Sequence, residues 1–423
     1  MTESLAPHIA IVGSGPSGCY LAQALIRSLP AASITIFDRL ASPFGLIRYG
    51  VAADHQHTKA ITRQFERLFQ AANVRFAGNV ELGRDLSLEQ LREQFDAVIL
   101  ATGLSGDREL TLPGANLPGV VGAGTVTRAL NAHPDEAVTL PDLGADVVLI
   151  GAGNVSLDLL RFLVKDRSQY DASDISDTAL EHYLASPAER VTMASRSAAV
   201  SSKGDPQMLR EIAALPCAAY STPDDLAADA GSELERSEAQ RLSAFAELVS
   251  PERHAAPGPA VTLRFGVIPL RILGTDHVEG VEFAAGDDVV VIPASAVITA
   301  VGFAASGPLA ELLAAHSEIG RIEPGLYRTG WAKRGPRGGI PENRACAKSV
   351  AEEIVADLTS GVLPVSEATL GFDGLPASVR SVAIDYAQWL TLEQHERDLA
   401  PASRVRRKIT DHNQMVAIAR GRS

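Results

Sequence analysis

Residues 8–38 read HIAIVGSGPSGCYLAQALIRSLPAASITIFD. Ile9 to Val12 is short, rich in β-branched residues and cut off by Gly13, the pattern of a buried strand. Gly13, Gly15 and Gly18 then complete G-x-G-x-x-G at the head of an Ala- and Leu-rich stretch. The first glycine of such a motif permits a tight turn. The second lets backbone N–H groups approach a pyrophosphate, and the third lets the following helix pack close to the strand. The pyrophosphate lies at the positive N-terminus of that helix. Ile34 to Phe37 supplies a second strand, and Asp38 follows Gly18 by 20 residues, where a carboxylate accepts hydrogen bonds from a ribose hydroxyl. Strand, glycines, helix, strand and acid in register define a dinucleotide-binding unit rather than an ordinary glycine-rich loop.

With 423 residues the chain has room for two or three domains, and its 46% hydrophobic content allows sizeable cores. No apolar run approaches the ~20 residues of a membrane span. The start, MTESLAPH, lacks the basic and apolar regions of a signal peptide, so a cytoplasmic location is expected. A net charge of −13 disfavours non-specific nucleic-acid binding but leaves room for a local basic patch. Cys19, Cys217 and Cys346 are scattered and never form C-x-x-C. That spacing offers neither a disulfide framework nor a metal site, and it excludes a flavin disulfide reductase, which needs two neighbouring thiols.

After Asp38, Pro43, Gly45 and Gly50 keep the chain irregular as it leads into a helix. Ile61, Phe65, Leu68 and Phe69 share one face of that helix, and Lys59, Arg63 and Arg67 are expected on a solvated face. Val74 to Leu82 suggests two short strands around Gly78. Ala97 to Leu100 is a buried strand ending in Ala101-Thr102-Gly103, where a first domain boundary is placed. A second βα unit opens at Val147 to Ile150 and turns through Gly151, Gly153 and Ser156, serine still permitting close packing. Val191 to Ala194 is its second strand. Arg196 stands where Asp38 stood in the first unit, which favours a 2′-phosphate and hence NADP. Residues 218–260 carry no motif. Strands follow at 261–265, 278–283 and 289–292, and Ala296 to Phe303 repeats the form of the Ala-Thr-Gly strand. A glycine-rich approach, Gly330 to Ile340, leads into a helix from about Asn343 to Leu358. The tail places Tyr386, Trp389 and Leu390 on a helix before a basic run, Arg404, Arg406, Arg407 and Lys408, read as a solvated face or a surface for an acidic partner.

PFGLIRYGVAADH, GAGNVSLD and GWAKRGPRGGI together resemble adrenodoxin reductase and the bacterial ferredoxin:NADP reductases, in order over almost the whole chain. The tail, DYAQWLTLEQHER followed by basic residues, is similar too. The resemblance implies an α/β fold of the two-dinucleotide-binding flavoprotein type, with two Rossmann-like domains. FAD would occupy residues 1–103 together with 323–423, and NADPH would occupy 104–322. FAD contacts are implied at Ser17, Asp38, Leu46, Leu82, Trp331, Gly338, Gly339 and Ile340, and NADP contacts at Gly153, Asn154, Val155, Arg196 and Gly338. His55 and Glu211 match a polar pair that the family places near the nicotinamide, to orient the ring or relay a proton. Electrons would leave for a ferredoxin-type iron–sulfur protein from a monomer or weak dimer, with no metal held in this chain. Two departures stand out. Ser197 replaces the second of two consecutive arginines, and Met208 replaces a glutamate. Both weaken the expected preference for NADPH and leave NADH possible.

Two other readings share the first glycine turn: a flavin oxidase or monooxygenase acting on a small molecule, and a non-catalytic flavoprotein redox sensor. The first gives no reason for the pattern at Gly330 to Ile340; Ser197 and Met208 leave the second open.

Overall fold

The strand His8–Val12 pairs in parallel with Ser33–Phe37 on one side and with Ala97–Leu100 on the other. It thereby becomes the centre of a six-stranded sheet. The computed structural model describes residues 6–227, 234–253, 257–314 and 317–422. In sheet order the strands are Arg321–Glu323, Leu326–Arg328, Ala97–Leu100, His8–Val12, Ser33–Phe37 and Val74–Ala77. All pairings are parallel except that of the outermost strand, Arg321–Glu323. Alternation along each strand sends Ile9 and Ile11 to one face and Ala10 and Val12 to the other. The first face is covered by the helix Pro16–Ser28, which packs through Cys19 and Ala22, and by Ile340–Ser360, which packs through Ala347, Val350 and Ala351. Small residues on both helices allow the close approach.

The second parallel sheet has the order Val120–Gly122, Ala296–Thr299, Asp146–Ile150, Arg190–Ala194, Ala260–Arg264 and Ala219–Ser221. Three antiparallel strands, Val267–Leu273, Gly280–Ala285 and Asp288–Pro293, lie in sequence between its strands Ala260–Arg264 and Ala296–Thr299. The first of these was not read from the sequence. Its Pro269 coincides with a register shift in the ladder, which breaks the alternation.

The chain divides into two compact units, residues 1–106 with 303–423, and residues 107–302. The second boundary therefore falls before 303 rather than at the expected 322. The reason is apolar packing: Leu309, Leu312 and Leu313 join the cluster of Val12, Leu100 and Leu326 in the first unit.

Two local expectations also change. Val74–Ala77 is one strand, since beyond it Gly78 bridges Ile384. The helix expected after Gly50 is two short ones, Gln56–Lys59 and Thr62–Glu66, although Phe65, Leu68 and Phe69 are buried as their spacing implied. Among the described residues of 218–260, Arg236–Leu248 is helical.

Candidate active site and nucleotide sites

At the first glycine turn Gly13 has φ +114, and a Cβ there would lie 2.4 Å from the Ala101 carbonyl oxygen. A Cβ on Gly18 would lie 2.0 Å from the Gly13 oxygen, so neither position admits a side chain. A Cβ on Gly15 meets nothing within 4 Å. The turn is thus closed on its protein side and open in front of Gly15. The helix behind it begins with no side-chain cap and no acidic residue in its first turn. By contrast, Ser176, Asp205, Asp385 and Asp411 each cap their helices with a side-chain oxygen. Unsatisfied N–H groups and the helix dipole favour an anion at such an end. The phosphates of FAD fit this cradle.

Asp38 is anchored beside the turn. Its Oδ2 accepts from the Ser14 amide at 3.0 Å and from the Ser14 hydroxyl, and its Oδ1 accepts from the Leu40 amide at 3.0 Å. A Cβ built on Gly45 lies 3.0 Å from the Gly15 Cα, which brings the chain at Leu46 against the turn. Ser17 donates to Asn343 Oδ1 at 3.0 Å and so joins the two helices that cover the sheet. Trp331 Nε1 donates to the Gly338 carbonyl at 3.0 Å, and its ring stacks on Phe303 with centroids 5.2 Å apart. Gly339 N–H is bonded within its own helix start to Glu342 Oε2 at 2.7 Å. Leu82 is half-buried and packs against the apolar cluster that contains Val80 and Phe37. Ser17, Asp38, Leu46, Trp331 and Gly338 to Ile340 therefore belong to one unit and frame its glycine turn, or pack on the segments that do. His55 lies in the same unit as the residue preceding the helix Gln56–Lys59, its N–H bonded to the Ala52 carbonyl at 2.9 Å.

The second turn repeats the first. Gly151 has φ +127, and a Cβ there would lie 2.5 Å from the Ala300 oxygen, whereas Gly153 faces open space. Ser156, standing where the motif has glycine or alanine, is fully buried and donates to the Gly151 carbonyl at 2.8 Å. The hydroxyl thus closes the turn from within. The helix Asn154–Val164 also lacks a side-chain cap and a first-turn acid. Asn154 Oδ1 accepts from the Asp205 amide at 2.9 Å, and Val155 follows it in the first helical turn. Arg196 is exposed just beyond the strand Arg190–Ala194. Glu211 lies on the helix Pro206–Ala213, 3.3 Å from Nη1 of the buried Arg161, whose Nη2 lies 3.5 Å from Asp158. His55 and Glu211 stand on different units.

Several residues that shape the first unit were missed or misread from sequence. Arg48 is 4% exposed and donates through Nη2 to both oxygens of Glu396, itself 0% exposed, at 2.6 and 2.8 Å. Burial alone would weaken the guanidinium charge, but Glu396 and Tyr49 more than compensate and hold its pKa above the ordinary value. Lys59 Nζ and Lys408 Nζ both donate to the Arg48 carbonyl, at 3.2 and 3.1 Å. Lys59 is therefore buried, not on a solvated face. The basic tail is likewise mostly internal: Arg404 and Lys408 are buried, Arg406 pairs with Glu393 at 3.1 Å, and Arg407 is exposed. Cys19 is buried, and burial, with Asp38 adding to it, pushes its thiol pKa well up; it remains a neutral core group.

Residues 7–169 match the pyridine nucleotide-disulphide oxidoreductase family. Over 435 residues the chain is 38% identical to cindoxin reductase of Citrobacter braakii, covering 99% of this chain and 92% of that one. It is 34% identical to a probable ferredoxin/ferredoxin–NADP reductase of Mycobacterium tuberculosis, covering 97% and 75% of the two chains. Against human mitochondrial NADPH:adrenodoxin oxidoreductase the identity is 30%, with 99% and 93% covered. The structure of Mycobacterium tuberculosis FprA in complex with NADPH superposes with a TM-score of 0.90 at 28% identity, covering 99% of this chain and all of that one. The fold is that of the two-dinucleotide-binding flavoproteins. Within that class, the chain belongs to the family of ferredoxin–NADP reductases and NADPH:adrenodoxin oxidoreductases, and it is an oxidoreductase. Membership along the full length sets aside both the small-molecule oxidase or monooxygenase and the non-catalytic sensor. Among the described residues no helix is long and apolar enough to cross a membrane, and no group of three potential ligands could hold a metal.

Proposed function

We propose that this protein is an FAD-dependent reductase that takes electrons from NADPH and passes them to an iron–sulfur protein of the ferredoxin type. The observation that carries this reading is the pair of glycine turns. Each has an open middle glycine and an uncapped helix N-terminus, followed by Asp38 in one unit and by Arg196 in the other. When bound, FAD supplies the conversion of a two-electron transfer from NADPH into one-electron transfers to the carrier.

The chain's own residues bind and orient. Gly13, Gly15, Ser17 and Gly18 receive the FAD pyrophosphate, and Asp38 holds a ribose hydroxyl. Leu46, Leu82, Trp331, Gly338, Gly339 and Ile340 enclose the remainder of that cofactor. Gly151, Gly153, Asn154 and Val155 receive the pyrophosphate of the nicotinamide nucleotide, and Arg196 its 2′-phosphate. Glu211, held by Arg161, orients the nicotinamide end of that nucleotide. His55, fixed at a helix start, relays a proton or orients the nicotinamide ring. With a serine at 197, a single guanidinium from the Arg196–Ser197 pair meets the 2′-phosphate, so NADPH is preferred only modestly and NADH is tolerated.

The experiment is cytochrome c reduction driven by NADPH, with and without an added ferredoxin. Strong dependence on the ferredoxin is expected. Equal rates without it, or turnover that consumes oxygen and a small organic substrate instead, would overturn the reading.

A further inference from the structure

The loop after the strand Arg190–Ala194 carries two exposed cations, Arg196 and Lys203, neither in an ion pair among the described residues. Neighbouring cations differ: Arg190 pairs with Asp146, Arg210 with Glu247, Arg264 with Asp224 and Arg271 with Glu282. The loop is also held in place. Arg241 donates to the carbonyls of Val200 and Gly204 at 2.6 and 3.1 Å, and the Gly266 amide donates to the Ser197 carbonyl at 3.3 Å. Its far end rests on the second glycine turn. A Cβ on Gly204 would lie 3.3 Å from the Ala152 oxygen, and the Asp205 amide donates to Asn154 Oδ1 at 2.9 Å. Lys203 thus adjoins the two residues that pack on the turn, while Arg196 stands at the strand end. The adjacent acid, Asp205, is engaged through Oδ1 with the amides of Gln207 and Met208 at 2.7 and 3.3 Å.

We propose that Lys203 is the second phosphate-binding cation of this unit and acts on the pyrophosphate, leaving the 2′-phosphate to Arg196. The proposal rests on the reading that residues 107–302 bind the nicotinamide nucleotide. Lys203 precedes the two residues that rest on an uncapped helix end whose N–H groups favour phosphate, and a flexible ammonium adds charge without demanding a fixed geometry. The division of labour has a consequence. Lys203 strengthens binding of NADPH and NADH alike, so affinity is shared between two cations while discrimination falls to one.

The test is calorimetric titration of the FAD-loaded protein with NADP+ and with NAD+. Lys203→Ala should raise Kd about tenfold for both nucleotides by the same factor, the loss of one charge-assisted contact. Lys203→Arg should restore both. Arg196→Ala should weaken NADP+ alone. Melting temperatures unchanged across the variants would separate these effects from misfolding, as expected for exposed side chains. Lys203→Ala that leaves both constants unchanged, or weakens NADP+ alone, would overturn the assignment of Lys203. Failure of the unsubstituted protein to bind NADP+ would instead overturn the nucleotide reading and the proposal with it.

Discussion

Arg48 and Glu396, 348 residues apart in sequence, form a two-point ion pair at 2.6 and 2.8 Å that is almost sealed from water. Arg48 also lies over the rings of Trp389 and Tyr49, each 5.0 Å from its centroid. The pair ties the Leu46–Tyr49 segment, which abuts the first glycine turn, to the helix Tyr386–Asp398 near the C-terminus. The tail is therefore part of the first unit's scaffold.

Removing one partner strands the other charge in the interior. Glu396→Gln or Arg48→Met should cost about 3–5 kcal/mol of stability, measured by urea unfolding. The double substitution Arg48→Met with Glu396→Leu should cost less than the two single losses combined, because no lone charge remains.

Gly15 and Gly13 should respond differently. Gly13→Ala forces a side chain into the Ala101 carbonyl at positive φ and should lower stability by about 3 kcal/mol or more. Gly15→Val should leave the fold intact yet raise the Kd for FAD about tenfold or more, because its side chain fills the space in front of the turn. Thermal melting of the cofactor-free protein and fluorescence titration with FAD measure the two quantities separately.

Ser156→Ala removes one buried hydrogen bond to Gly151 while leaving a residue that the motif accepts. A loss of about 1 kcal/mol is expected, with nucleotide binding retained. Ser156→Leu should abolish binding of the nicotinamide nucleotide, since Ser156 is fully buried against the turn and a larger side chain would displace it. Calorimetry reads both variants.

Burial would raise the Glu393 pKa, but Arg406 at 3.1 Å and Arg397 at 3.0 Å outweigh it and hold the carboxyl below its ordinary value. A carboxyl lowered in the folded state contributes stability that is complete above the unfolded-state value of about 4.3. That contribution is lost as pH falls from there through the folded value. Urea unfolding between pH 7 and 3.5 should show the loss, and Glu393→Gln should flatten it. A steeper acid decline in the variant would contradict the assignment.

What the sequence made legible follows from locality. Gly13, Gly18, Gly151 and Asp38 act through turns and strand ends within one βα unit, so spacing alone exposed them. Lys59 and Lys408 were misread because each finds the Arg48 carbonyl only in three dimensions, Lys408 from 360 residues away. A lysine beside charged neighbours reads as solvated until its partner is known. Arg161 had no signal beyond its place among Leu159, Leu160, Phe162 and Leu163, though a charge on a buried face calls for a carboxylate, and Glu211 and Asp158 supply two. Ser156 was judged tolerable for its size, and its bond to Gly151 gives it a positive role.

The most direct test of the central claim is an anaerobic titration of the purified, FAD-loaded protein with NADPH, followed by addition of an oxidised ferredoxin. The visible flavin absorption should bleach with about one equivalent of NADPH and return as the ferredoxin is reduced. A flavin spectrum that NADPH leaves unchanged, or a protein that takes up no FAD, would contradict it.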